Sequence, residues 1–305
     1  MRKLVLAAFL FVSTISTNSL ADIKMGIILG FTGPIESLTP AMAASAELAF
    51  KEASDSGKLL GGQKISVERA DSTCVDSAAA TTAAQGLVDG GVVAIMGADC
   101  SGVTGAIATN VAVPNGVVMI SPSATSPGLT DLNDNGYFFR TAPSDARGGQ
   151  ILADITKDRK IKSVAITYTN NDYGKGLADV YKAAVEAHGI KVTTVAAHED
   201  GKADYSAEVA TLASAGGDAV AVIGYIDQGG KGIIQASLDS GAFDVFILSD
   251  GMIGDSLTDN FGKALNKSFG SLPGSTGKGA GVFADVAKAG GIDSSGPYTG
   301  ESYDA

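Results

Sequence analysis

Short apolar runs alternate with amphipathic segments along the first half of the chain. The run Ile23–Leu29 predicts a buried strand, and residues 30–34 predict a turn after it. Met42, Ala46 and Phe50 then share one face of a helix, which completes a βα unit. Further strands are predicted at residues 64–70, 92–96 and 117–121, with helices at residues 76–88 and from Ser101 onward.

The same pattern begins again after residues 138–140. Strict alternation of strands and helices predicts an α/β architecture of parallel sheets with helices on both faces. Because a chain of this length exceeds what one small core usually organises, we predict two lobes. Lobe 1 comprises residues 22–143 plus 272–305, and lobe 2 comprises residues 144–271. In lobe 2, helices are predicted at residues 145–157, 174–187, 205–215 and 228–240, and strands at residues 163–167, 191–196, 219–223 and 245–248.

The first residues have the pattern of an export signal. Arg2 and Lys3 precede the apolar run at residues 4–13, and small residues at Ser19 and Ala21 suit cleavage before Asp22. Residues 1–21 are therefore predicted to be a signal peptide, with a buried first helix as the alternative. Position 22 is not cysteine, so we expect no lipid attachment there, no direct membrane anchor and a periplasmic protein.

Charge and motif content limit the possible functions. The chain carries 22 basic and 33 acidic residues, which argues against a nucleic-acid partner. No phosphate-binding loop, nucleophile elbow or zinc-binding helix occurs in the sequence, and residues 229–232 only superficially resemble such a loop. We therefore predict a protein that is not an enzyme and that has no cofactor and no metal site.

In parallel sheets, ligands bind at the carboxyl ends of the strands, and polar residues follow several predicted strands. The hydroxyls of Ser101 and Thr125, with amides at the start of the helix, suit a carboxylate. Asp250 suits an ammonium, and Tyr173 and Tyr225 suit an amphipathic wall over a small ligand. The alternative is a purely structural role, in which the serines only cap helices and Asp250-Gly251 only forms a turn.

Cys74 and Cys100 are the only cysteines. An oxidising compartment favours a disulfide between them, with two buried free thiols as the alternative.

Several segments together resemble the periplasmic leucine/isoleucine/valine-binding proteins of ABC transporters, over residues 22–305. The matching segments are Thr32-Gly33-Pro34, Cys74-Val75-Asp76, Cys100-Ser101-Gly102-Val103-Thr104, Ser121-Pro122-Ser123-Ala124-Thr125, Phe139-Arg140-Thr141, Asp172-Tyr173-Gly174-Lys175-Gly176 and Gly224-Tyr225. The order and spacing of these segments together are specific to that family, although each segment alone is weak evidence.

The resemblance implies a type I periplasmic binding protein fold, in which three crossovers join two Rossmann-like lobes that close about a hinge. It implies the Cys74–Cys100 disulfide. It also implies a ligand site formed by Ser101, Ser123, Ala124, Thr125, Tyr173, Tyr225 and Asp250. Ser101, Ser123 and Thr125 would hold the α-carboxylate; Tyr173, Tyr225 and Asp250 would meet the ammonium and cover the site.

The function implied is that of a monomeric binding protein that carries a branched-chain or other neutral amino acid to a membrane permease. The alternative is a ligand-sensing protein of the same fold that recognises a small amide or organic acid. Asp250 stands where the family usually has glutamate, and Leu38 stands where an aromatic residue is often found. Family members also continue past the segment that resembles residues 300–305, so we expect the C-terminal part of lobe 1 to be truncated.

Overall fold

A computed structural model describes residues 22–274 and 278–305 of the chain. The predicted signal peptide, residues 1–21, lies outside the described residues. The described part contains two parallel five-stranded sheets with helices packed around them, which confirms the predicted α/β class.

The first sheet has the strand order β2-β1-β3-β4-β5, and all of its described pairings are parallel. Its strands are β1 (Ile23–Leu29), β2 (Ile65–Asp71), β3 (Ala94–Gly97), β4 (Val118–Ser121) and β5 (Phe138–Arg140). The helices between them are α1 (Thr39–Asp55), α2 (Ser77–Asp89), α3 (Ser101–Ile107) and the short α4 (Val113–Asn115), the last two joined by a π-helical turn at Ala108–Ala112.

The second sheet has the order β10-β9-β8-β6-β7 and is also parallel. Its strands are β6 (Ser163–Thr169), β7 (Lys191–His198), β8 (Ala219–Ile223), β9 (Phe246–Leu248) and β10 (Phe269–Gly270). Its helices are α5 (Asp145–Asp158), α6 (Asp172–Ala187), α7 (Ser206–Ala215), α8 (Gly229–Ser240) and α9 (Asp255–Phe261).

The chain returns to the first sheet after β10. Helix α11 (Thr299–Asp304) packs against α1, and α10 (Lys278–Ala289) precedes it. The Thr141 hydroxyl donates to the carbonyl of Glu301 at 2.9 Å, which joins the end of this segment to the residues after β5. We keep the names lobe 1 and lobe 2 for the halves built on the first and second sheets.

Local sequence accounts for the element boundaries. Every residue of the central strand β8 is buried because helices cover both faces of the sheet. Asp76 accepts from the backbone N–H groups of Ala78 and Ala79 and so begins α2, as the sequence predicted. Asn171 caps α6 in the same way, through Gly174.

Candidate functional site

The carboxyl ends of both sheets face one cleft. A cavity of about 30 Å³ lies there and takes its walls from both lobes. Its lining residues are Ile35, Leu38, Met42, Asp99, Cys100, Ser101, Ser123 and Tyr298 from lobe 1, with Tyr173, Tyr225, Asp250 and Gly251 from lobe 2. Five of the seven residues expected at the ligand site therefore line this cavity. Ala124 and Thr125 do not; both are buried beside Ser123.

The lobe 1 wall is fixed by hydrogen bonds within its own loops. The Ser101 hydroxyl, at the start of α3, accepts from the backbone N–H of Ser126 at 3.1 Å. The Ser123 hydroxyl donates to the carbonyl of Asp99 at 3.2 Å. Arg140 donates to the carbonyls of Ala124 and Ser126, at 3.0 and 2.9 Å, and so holds the loop after β4 from behind.

A disulfide joins Cys74 to Cys100, so the predicted pairing is confirmed in the structure. It ties the loop after β2 to the residue that precedes α3. The backbone direction of Ser101 at the edge of the cleft is therefore fixed covalently as well as by hydrogen bonds.

The lobe 2 wall is a pair of stacked tyrosines over a carboxylate. The rings of Tyr173 and Tyr225 lie 5.2 Å apart with an interplanar angle of 18°. The Tyr173 hydroxyl donates to Asp250 Oδ1 at 2.7 Å and accepts from the N–H of Gly251 at 3.2 Å. The amide of Asn171 donates to the Tyr225 hydroxyl at 3.4 Å, so both rings are held in place.

Tyr298 is a site residue that the sequence did not indicate. It comes from the segment before α11, it is buried, and its hydroxyl donates to Asp250 Oδ2 at 2.5 Å. This hydrogen bond crosses the cleft from lobe 1 to lobe 2. No signal in the glycine-rich segment around Tyr298 marks it, because its partner lies 48 positions earlier in the chain.

Asp145 is the second residue whose place at the site the sequence did not indicate, because the sequence pattern marks it only as the start of a helix. It is the first residue of α5, only 4% exposed, and its backbone N–H donates to the carbonyl of Thr125 at 2.9 Å. Asp145 Oδ2 and Thr125 Oγ1 are buried without a hydrogen-bond partner among the described residues. Burial, and then the charge of Asp250, hold the pKa of Asp145 well above its usual value.

Asp145 and Asp250 face a common space. A second cavity, of about 260 Å³, lies where the chain passes between the lobes, and both carboxyl groups belong to its lining. Leu152, Leu177 and Leu272 supply apolar walls to it. The sequence could not place the two aspartates together, because 105 positions separate them in the chain.

Asp99 closes the lobe 1 side of the cleft. Its carboxylate accepts from the N–H of Gly30 at 2.6 Å and from the Ser72 hydroxyl at 3.1 Å. Burial raises the pKa of Asp99, and these hydrogen bonds oppose the rise. Both carboxylate oxygens of Asp99 therefore accept hydrogen bonds, and these bonds fix the turn after β1.

The charge around the cleft is negative. None of the residues that line the first cavity is basic, whereas two of them are aspartates. Burial raises the pKa of Asp250, and the hydrogen bonds from Tyr298 and Tyr173 oppose that rise. Such a site favours a ligand that brings its own positive charge.

Contacts at the cleft edge hold the lobes together. The N–H of Ser37 donates to Asp227 Oδ2 at 2.8 Å, and the N–H of Asp227 donates to the carbonyl of Pro34 at 3.0 Å. On another side, the Ser126 hydroxyl donates to the carbonyl of Asp172 at 3.1 Å. The site is thus a small cavity, with mostly apolar walls and a few polar groups, enclosed between two contacting lobes.

This architecture defines a class: two-lobed proteins that enclose a small solute between Rossmann-like lobes. A family model described as "Periplasmic binding protein" matches residues 22–278. The chain belongs to the periplasmic binding protein family, and its predicted resemblance to the leucine/isoleucine/valine-binding proteins is confirmed.

The proteins to which this chain is similar are named as amino-acid-binding or solute-binding proteins. The Leu/Ile/Val-binding protein homolog 3 of Brucella melitensis is 33% identical over 235 residues, which cover 74% of this chain and 61% of that protein. The substrate-binding protein of a branched-chain amino acid transporter from Streptococcus pneumoniae, solved with isoleucine, has a TM-score of 0.79 and 24% identity, covering 93% of this chain and 81% of that one. A solute-binding protein of an R. palustris ABC transporter, solved with 4-hydroxybenzoate, has a TM-score of 0.75 and 18% identity, covering 93% of this chain and 78% of that one.

Two further observations concern the described residues alone. None of their helices is both long and apolar enough to cross a membrane. Within residues 22–274 and 278–305, no group of three or more histidine, cysteine, aspartate or glutamate side chains is placed to hold a metal ion.

Proposed function

We propose that the protein binds a branched-chain or other neutral amino acid in the cleft between its lobes and presents it to a membrane permease. The observation that carries this proposal is that the buried carboxyl group of Asp250, from lobe 2, lines the same cavity as the hydroxyls of Ser101 and Ser123, from lobe 1. A zwitterion needs both kinds of group, because each of its charged ends loses water on binding.

The ammonium is assigned to the acidic side of the cleft. Asp250 supplies a carboxylate already oriented by two tyrosines, and Asp145 and Thr125 supply oxygens that are buried without a partner. An ammonium has three donors and therefore matches acceptors that converge from several elements. This assigns Thr125 to the ammonium rather than to the carboxylate that the sequence suggested.

The carboxylate is assigned to Ser101, Ser123 and the backbone N–H groups at the start of α3. The Ser101 oxygen already accepts a hydrogen bond, so its own proton is free to be donated to a ligand. The first N–H groups of a helix lack partners within the helix and favour negative charge.

The side chain of the ligand is assigned to the wall of Ile35, Leu38 and Met42, all of which line the cavity and are buried. These apolar residues carry no hydrogen-bonding side chains, so they favour an aliphatic group. The stacked rings of Tyr173 and Tyr225 would cover the ligand from lobe 2.

The relatives named above support the transport role, and the proposal includes a periplasmic location and a binding protein that is not an enzyme. In this role, closure of the lobes on the ligand would create the surface that the permease recognises. A second candidate is the uptake or sensing of a small aromatic or other organic acid, which the similarity to the 4-hydroxybenzoate-bound structure supports. The absence of basic residues among those lining the described cavity weighs against an acid without an amine.

A thermal-shift screen tests this proposal. The protein would be melted with each neutral L-amino acid, with the deaminated analogue of each, and with 4-hydroxybenzoate. A ligand at about 100 times its Kd stabilises the fold by roughly 2.7 kcal/mol, which raises the Tm of a chain of this length by about 5 °C. We expect aliphatic L-amino acids to give this shift and deaminated acids to give none; shifts from the acids alone would favour the second candidate.

A further inference from the structure

Two buried aspartates line the second cavity, beside the cleft. Asp145 and Asp250 are 4% and 7% exposed, and they line one cavity although they belong to different segments of the chain. Two carboxyl groups that share a buried site rarely both stay ionised, because each charge raises the free energy of the other and neither is well hydrated.

No base forms a salt bridge with either aspartate among the described residues. The charge of Arg140 lowers the pKa of Asp145, but by less than burial and Asp250 raise it, and its guanidinium donates to the carbonyls of Ala124 and Ser126 and to the Thr130 hydroxyl. Arg147 lines the cavity that the two aspartates share, and its guanidinium donates to Gln150. The other titratable groups that face the pair are Asp99, Tyr173, Tyr225 and Tyr298. The phenols are neutral and Asp99 is acidic, so none of these groups contributes a positive charge.

The hydrogen bonds distinguish the two carboxyl groups. Asp250 accepts a phenolic O–H on each oxygen, from Tyr173 and Tyr298, and such bonds stabilise the ionised form. Asp145 Oδ2 has no hydrogen-bond partner in the described structure. The proton of a singly protonated pair is therefore held by Asp145, and its pKa, raised well above the usual value by burial and by Asp250, agrees with this geometry.

We propose that the ligand-free protein keeps one proton on the Asp145–Asp250 pair and that the ammonium of the amino acid replaces this proton. Binding would then release a proton, and acidification would weaken binding. The inference rests on the proposed function, since it requires a ligand that carries an amine.

Calorimetry provides the test. The amino acid with the largest thermal shift would be titrated into the protein in buffers of different ionisation enthalpy between pH 5 and 8. We expect release of up to one proton per ligand at the acidic end, falling toward zero at the alkaline end. Where one proton is released, Kd should rise about tenfold for each unit by which the pH falls. Binding with no proton release across this range would overturn the inference and leave the proposed function intact.

Variants locate the proton. Asp145→Asn keeps the shape of the side chain and removes its titration, so proton release should disappear while weaker binding remains. Asp200→Asn is the matched control. Asp200 is a buried carboxyl group with a raised pKa, its oxygens accept from Thr169 and Gly229, and it does not line the cavity that Asp145 and Asp250 share. This control variant should release protons as the wild type does. Equal release by Asp145→Asn and wild type would overturn the assignment to this pair, whereas failure of every amino acid to bind the folded wild type would overturn the proposed function itself.

Discussion

His198, outside the cleft, makes the stability of the protein sensitive to pH. It ends β7, it is 2% exposed, and its Nδ1 lies 2.8 Å from the Thr167 hydroxyl while Nε2 has no partner among the described atoms. Burial lowers the pKa of His198 to about 4. The unfolded chain, with a histidine pKa of about 6.5, therefore takes up the proton first.

We predict that acid destabilises the fold through His198 as the pH falls from about 6.5 to about 4. Between neutral pH and pH 4.5, the free energy of unfolding should fall by roughly 2–3 kcal/mol more in the wild type than in His198→Gln. Urea unfolding at both pH values measures it, with His188→Gln, a change at the partly exposed histidine, as the control. A wild type and a His198→Gln variant with the same pH dependence would contradict the burial argument.

At the scale of single residues, the sequence predicted the positions that directly follow strands. Ser101, Ser123 and Tyr225 line the cavity because the carboxyl end of a strand fixes where the next residue lies. Asp145 and Tyr298 could not be found in this way, because their roles depend on contacts between segments that are distant in the chain. The assignment of any of these residues to a ligand stays a prediction.

At the scale of elements, long and strongly patterned segments were predicted well. The strand β8 and the helix α6 match their predicted ranges within a few residues. The strands β5 and β10 were not predicted, because runs of two or three residues carry no periodicity. In the last segment the sequence pattern predicts a helix only at about residues 282–288, whereas α10 begins at Lys278, because glycines at positions 279 and 281 obscure its start.

The disulfide is the element-scale feature that is easiest to test. Cys74 and Cys100 are 26 positions apart, and closing a loop of that length stabilises a fold by roughly 3–4 kcal/mol in the chain-entropy description. We predict that Cys74→Ser/Cys100→Ser lowers the free energy of unfolding by about this amount, as measured in urea. The wild type treated with a reductant is the control and should approach the variant; an unchanged midpoint in both would contradict the prediction.

At the scale of the molecule, the candidate site exists only where the lobes meet. Lobe 1 contributes the hydroxyl wall and Tyr298, whereas lobe 2 contributes the stacked tyrosines and Asp250. The repeated βα pattern was enough to predict two parallel-sheet lobes. The distance between the lobes could not be predicted from the sequence, because it depends on side chains that meet across the cleft. The pairing of Asp145 with Asp250, both in lobe 2, could not be predicted because 105 positions separate them.

The central claim is that this cleft holds an amino acid by its ammonium, and calorimetry of Asp250→Asn tests it most directly. The amino acid with the largest thermal shift and its deaminated analogue would be titrated into the wild type, into Asp250→Asn and into Asp255→Asn, a control at an exposed position in the same lobe. Loss of the charge partner of a buried ammonium should weaken amino-acid binding by roughly 2–5 kcal/mol in Asp250→Asn, with no change in Asp255→Asn and weak binding of the analogue throughout. Equal binding of the amino acid by the wild type and Asp250→Asn, or tighter binding of the analogue than of the amino acid by the wild type, would contradict the account.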